Sequence, residues 1–157
     1  MKYVLLIYIL MFCCVQHAQS DADTMSVRFD MFSIKDGLSQ GLVMAAIQDK
    51  EGFMWFSTKD GLNKYDGYRV TVYRNDPQDP YSLPDNYVTQ LLEDSTGNFW
   101  VGTDTKGLFL FDKKQERFFK VTLTGEETSL AHEGVWRIQR QGDVLLVGRT
   151  QHMYLYD

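Results

Sequence analysis

The chain has 157 residues, 44% hydrophobic and 14% aromatic, with a formal net charge of −5. That composition describes a globular protein and excludes a disordered tail. The acidic balance excludes general nucleic-acid binding by this segment, because neutralising phosphates needs a basic patch.

The N-terminus reads as an export signal, residues 1–20. Lys2 precedes an unbroken apolar run from Tyr3 to Val15, and Ala18-Gln19-Ser20 places small residues before a cut after Ser20. The run falls short of the roughly 20 residues a membrane span needs. An uncleaved N-terminal anchor is the alternative. A lipid anchor on Cys13 or Cys14 is disfavoured by the bulky residue before each. These are the two cysteines of the sequence, so the mature chain has no disulfide framework and no thiolate chemistry. The location expected is periplasmic or cell-surface.

Val27 to Ile34 reads as a lone strand, with Val27, Phe29 and Met31 set against Phe32 and Ile34. A repeat follows. Asp49-Lys50-Glu51-Gly52-Phe53-Met54-Trp55-Phe56-Ser57-Thr58, running into Gly61-Leu62, returns as Asp94-Ser95-Thr96-Gly97-Asn98-Phe99-Trp100-Val101-Gly102-Thr103, running into Gly107-Leu108. Asp49 to Asp94, Gly52 to Gly97, Trp55 to Trp100 and Thr58 to Thr103 are each 45 residues apart. A fixed spacing of about 40–45 residues with glycine and aromatic signatures marks a four-stranded β-propeller blade.

Each copy has one plan. The first strand is Val43–Gln48 or Val88–Glu93, and Asp-x-x-Gly then supplies a hairpin turn. The second strand is Phe53–Thr58 or Phe99–Thr103. It is apolar on both faces, as expected of a strand covered by a blade on each side. Third strands follow at Leu62–Tyr65 and Leu108–Phe111. Asp66-Gly67 signals a type I′ hairpin, and outer strands run Tyr68–Tyr73 and Phe118–Leu123. Asn75 to Asn86, with Pro77, Pro80 and Pro84, forms a surface crossover. Thr124 to Glu133 is its counterpart. A third, degenerate copy runs Val135–Arg140, a short turn at Gln141-Gly142-Asp143, Val144–Arg149 and Tyr154–Asp157. Leu146 stands there in place of tryptophan and Arg149 in place of threonine.

The fold expected is all-β: an incomplete propeller over 27–157, with the lone strand 27–34, blades at 38–80 and 83–127, and a partial blade at 130–157. Rings have roughly 4–8 blades. Three would leave apolar faces open, so the chain reads as the N-terminal piece of a longer protein.

Trp55 and Trp100 could stack on sugar rings, but a repeated mid-strand position favours inter-blade core. Asp49 and Asp94 could pass for catalytic carboxylates, but periodic recurrence favours turn capping. Thr58 and Thr103 are expected to bond between strands, and Gly52, Gly61, Gly97 and Gly107 to shape turns. Non-repeated loop residues are the better ligand candidates: Lys59, Asp60, Asp104, Lys106 and the Asp76–Tyr81 stretch. His132 and His152 stand alone, and no metal-ligand spacing or nucleophile constellation stands out. No cofactor, metal or catalytic residue is expected.

A family resemblance rests on Phe29 to Ser39 (Phe-x-x-Ile-x-x-Gly-Leu-Ser), Gln48 to Gly67, Asn75-Asp76-Pro77 with Ser82-Leu83, and Glu93 to Leu108. The chain resembles, over residues 27–157, the periplasmic sensor region of hybrid two-component regulators, built from two-component regulator propeller repeats. The resemblance implies two seven-bladed propellers, an immunoglobulin-like linker, a transmembrane helix, a histidine kinase core, a receiver and a DNA-binding output domain. It also implies an oligosaccharide ligand, control of glycan-utilisation genes and a homodimer. These 157 residues contain no kinase core, so the chain itself is not expected to be an enzyme. Two other classes stay open: a propeller hydrolase or lyase acting on glycans, and a scaffold that binds protein partners.

Overall fold

In a computed structural model, the structure describes residues 28–122, 134–149 and 152–156. The expected signal segment and the second crossover, Thr124–Glu133, lie outside the described residues. The chain divides into two units, Met1–Met31 and Phe32–Asp157, and every described strand belongs to the second.

Three antiparallel sheets follow one another as meanders. The first holds β1 (Val43–Gln48), β2 (Met54–Thr58), β3 (Gly61–Tyr65) and β4 (Val70–Tyr73) in that order. The second holds β5 (Val88–Glu93), β6 (Phe99–Thr103), β7 (Leu108–Asp112) and β8 (Arg117–Lys120), and the third β9 (Val135–Gln141), β10 (Val144–Arg149) and β11 (Met153–Tyr156). Blade-by-blade all-β architecture is thus as the repeat predicts.

Side chains of β6 alternate between two apolar layers. Phe99 and Val101 join Trp55, Leu62, Leu91 and Phe111 between the first and second sheets. Trp100 joins Val135, Ile138, Leu145 and Val147 between the second and third. Every residue of β6 is buried. Trp55 lies against Phe99 at 4.8 Å and Phe111 at 5.6 Å between ring centroids, with Tyr73 stacked at 5.9 Å. Burial on this scale stabilises by about 1.5–3 kcal/mol per large apolar side chain.

One residue in each innermost strand is skipped by the ladder. Val43 pairs Thr58 and Ala45 pairs Ser57, leaving Met44 out. Thr89 is passed over between Val88 and Gln90, and Trp136 between Val135 and Arg137. The bulge recurs at the same register in all three sheets. Bulges re-aim side chains and increase local twist, and the residue here differs in each copy: Met44, Thr89 and Trp136.

Three expectations are corrected. Residues 28–34 form no strand. Ser33 instead caps a 3-10 turn, Ile34–Asp36, through a capping box with Asp36, and Gly37 closes it in the left-handed region. Phe32 then packs on Phe56 at 5.5 Å and on Tyr65 at 4.8 Å. The Asp66-Gly67 connection is not type I′, which needs positive φ at both central residues. Only Gly67 has it, and the Asp66 carboxylate closes the loop by accepting from the Tyr68 and Arg69 amides. Finally, β2 is not buried on both faces. Trp55 is fully buried, whereas Met54 and Phe56 on the other face are half-buried, because no described sheet covers that side.

Candidate functional site

The repeated aspartates build the turns and anchor the repeated tryptophans at once. One oxygen of Asp49 accepts from the Glu51 amide at 3.0 Å and the Phe53 amide at 2.9 Å. The other accepts from the Trp55 indole at 2.8 Å. Asp94 repeats the pattern: the Thr96 and Asn98 amides at 2.9 Å each, and the Trp100 indole at 3.0 Å. The spacing Asp-x-x-Gly-x-x-Trp follows from this geometry. Gly52 and Gly97, at φ +93° and +92°, turn the chain back so the tryptophan meets the carboxylate. At the far end of the strand, Thr58 and Thr103 donate to the Gly61 and Gly107 carbonyls at 3.1 and 2.9 Å.

Burial opposes ionisation of both aspartates. Their hydrogen bonds outweigh it: the Trp55 indole, the Phe53 amide and Lys113 at Asp49, and Thr96, the Trp100 indole and Asn98 at Asp94. Both carboxyls are held below the usual carboxylate range, most strongly at Asp94. Such groups are saturated acceptors and poor general acids or bases.

A cation bridges each inter-sheet seam. Lys113, 13% exposed, reaches Glu93 at 2.9 Å and, on the first sheet, Asp49 and Glu51 at 3.2 Å. Burial pulls the Lys113 pKa down, but these carboxylates more than offset it and raise it overall. At the next seam Arg140 of β9 reaches Asp94 at 3.5 Å. Lys113 and Arg140 do not belong to the repeated motif, so the periodicity gives no sign of them. Arg140 occupies the β9 position that Glu93 holds in β5.

Of the sequence-predicted ligand candidates, Lys59, Asp60, Asp104 and Lys106 fall on the opposite end of the sheets, whereas Tyr81 lies against the start of β8, its carbonyl accepting from the Phe118 amide at 2.9 Å. Asp60 pairs with Arg74 at 2.9 Å. Asp76 and Asp79 cap turns inside the crossover, accepting from the Gln78 and Tyr81 amides. The Lys106 amide donates to Thr103 Oγ1, while the Asp104 amide ties to the Tyr87 carbonyl at 3.0 Å. Tyr81 packs on Phe119 at 5.7 Å, and Lys59 addresses Tyr87, its Nζ 5.0 Å from the ring centroid. Tyr87 in turn meets Trp136 edge-on at 6.3 Å.

Tyr87 and Trp136 escape a reading by repeats, since both are non-repeated and sit at strand starts. The available signal was that Trp136 occupies the bulge position taken by Met44 and Thr89 in the other copies. It is 45% exposed, whereas Trp55 and Trp100 are buried. A separate cleft of about 530 Å³ lies by the Asp-x-x-Gly turns, lined among others by Lys50, Glu51, Glu93, Asn98 and Lys113. Its principal charges are already matched: Lys113 as above, and Lys50, whose amide donates to Glu93 at 2.7 Å and whose Nζ donates to the Ser95 carbonyl. No group of three metal-ligating side chains occurs among the described residues. Nor does any described helix have the length and apolarity to cross a membrane.

Comparison with known proteins places this geometry. Residues 82–105 match the family of two component regulator propellers. That stretch runs from the end of the first crossover through β5, the Asp94 turn and β6. Over these residues the chain carries the two-component regulator propeller repeat. A 55-residue stretch is 49% identical to histidine kinase P4 of Formosa agariphila, covering 35% of this chain and 4% of that protein. Two solved structures of one Bacteroides thetaiotaomicron extracellular domain share the fold at 20% identity. One, described as from a proposed hybrid two component system, has a TM-score of 0.64 and covers 86% of this chain and 18% of that one. The other, described as from a proposed one component system, has a TM-score of 0.61 and covers 78% and 16%. The chain thus spans a small part of the length of each of these relatives.

Proposed function

We propose that this chain is part of the exported ligand-sensing propeller of a hybrid two-component histidine kinase. The observation that carries the reading is the regulator-propeller match at 82–105, which falls on the carboxylate–indole turn that builds the blade. The 49% identity to a histidine kinase supports the same assignment. The sensor is periplasmic and homodimeric, detects an oligosaccharide, and switches genes for glycan use. Binding acts through the ring: a ligand that prefers one of two arrangements shifts the dimer toward it, and only differential affinity can do so.

The hydrolase reading is disfavoured by Asp49 and Asp94, whose oxygens are occupied by indoles and turn amides. In the sensor reading the described residues bind and transmit, and phosphoryl transfer belongs to a kinase core elsewhere in the native polypeptide. The test is autophosphorylation of the full-length native protein in liposomes, with and without a panel of oligosaccharides. A saccharide-dependent change in phosphorylation is expected. A native protein that accepts no phosphoryl group from ATP contradicts the assignment.

A further inference from the structure

We infer that Lys59, Tyr87 and Trp136 form a binding site for an acidic sugar unit, a ring bearing a carboxylate or sulfate. The inference rests on the sensor reading above and adds to it a location and a charge class.

The site draws on three segments distant in sequence. Lys59 is on the β2–β3 turn, Tyr87 ends the first crossover, and Trp136 is the bulged residue of β9. Their meeting is fixed by backbone. The Gly61 amide donates to the Asn86 carbonyl at 2.8 Å, and the Asp104 amide to Tyr87 at 3.0 Å. Asp85 accepts from the Thr105 amide and hydroxyl at 3.0 and 2.7 Å. The start of β9 is pressed onto the β6–β7 turn so closely that a Cβ on Gly134 would lie 2.3 Å from the Asp104 carbonyl oxygen. With the bulge at this register, Trp136 stands beside Tyr87. Two main-chain bonds and the Asp85–Thr105 bonds preorganise this site, which lowers the cost of binding.

The chemistry follows from the side chains. Trp136 is a large aromatic surface nearly half exposed at a position where the second sheet has a buried threonine, Thr89. An exposed indole beside a tyrosine edge offers an apolar platform for the flat C–H face of a pyranose. Lys59 supplies the charge. Of the neighbouring carboxylates, Asp60 is engaged by Arg74 and Asp85 by Thr105. Among the described residues Lys59 has no ion-pair partner, and its ammonium rests over the Tyr87 face. A ligand with both a ring face and an anionic group satisfies both features, and a neutral sugar satisfies one.

The test is isothermal titration of the full native polypeptide with digalacturonic acid, with neutral cellobiose as control. The site predicts tighter binding of the acidic disaccharide. Lys59→Gln should erase that preference, weakening the acid by about tenfold, the scale of one charge-assisted contact, and leaving cellobiose unchanged. Trp136→Ala should weaken both. Trp136→Phe, which keeps an aromatic face, should retain most of the affinity and guards against misfolding. Lys59 is exposed, so its variant reports on binding rather than folding. Acid binding that is unchanged in Lys59→Gln, and in any Trp136→Ala protein that folds, overturns the site while leaving the sensor reading intact. Equal binding of both sugars lost only with Trp136 overturns the charge assignment. Binding of neither probe overturns the proposal, whereas loss of the sensor reading shows separately, as absent phosphorylation.

Discussion

The carboxylate–indole pair is the unit from which each blade is built. Trp100→Phe removes a donor and leaves an Asp94 oxygen less satisfied, which costs about 1–3 kcal/mol for a buried group. A lowered urea midpoint would register it. Lys113→Met strands Asp49 and Glu93 at a seam where both are buried. Removing one partner of such a network costs about 3–5 kcal/mol, and the melting temperature should fall accordingly. These groups also set pH dependence. The aspartates have folded pKa values below their ordinary 3.8, so their contribution is present above that value and disappears as pH falls through the depressed one. Lys113 is raised above 10.5, so its contribution holds below that pH and is lost on passing above it. Urea midpoints measured against pH should therefore fall on the acid side below about pH 4. Asp94→Asn should lower stability near neutrality and flatten that acid limb. An unaltered acid limb in the variant would contradict the role given to Asp94.

Strands and turns were legible in the sequence wherever local chemistry decides them. Asp49 and Gly52, with their copies, mark hairpins because one carboxylate and one positive φ suffice to close them. The second strands were legible because tryptophan recurs at a fixed distance from the aspartate. Residues 28–34 were misread because alternation alone cannot supply a pairing partner, and the Ser33–Asp36 capping box wins when none is present. The candidate site was mostly illegible. Lys113 and Arg140 act across seams, and Tyr87 meets Trp136 only after blades stack, so no window of sequence contains these contacts. The bulge is a further case, visible only as a skipped rung. Gly134 carries a prediction here: Gly134→Ala forces β9 off the Asp104 carbonyl, and destabilisation should accompany a displaced Trp136. Iodide quenching of tryptophan fluorescence, compared between the native and variant proteins, reads that displacement.

Three stacked sheets bury one face of the first only. Trp55 is sealed against the second sheet, while Met54 and Phe56 are half-buried and Phe32 lies over Phe56. Exposed Val43, paired with Thr58, lies on the same open side. Apolar faces of this kind associate or are covered, and a repeat that stacks sheet on sheet offers the matching cover: another blade. The propeller reading therefore makes a geometric claim about what lies against β2 in the native polypeptide. The direct measurement is a cryo-electron microscopy or crystal structure of that full-length protein. The expected result is a further four-stranded antiparallel sheet packed on the Met54 and Phe56 face, burying Phe56 as Trp55 is buried on the other side. A structure in which that face lies in solvent, or against a helix, would contradict the propeller and the sensor built on it.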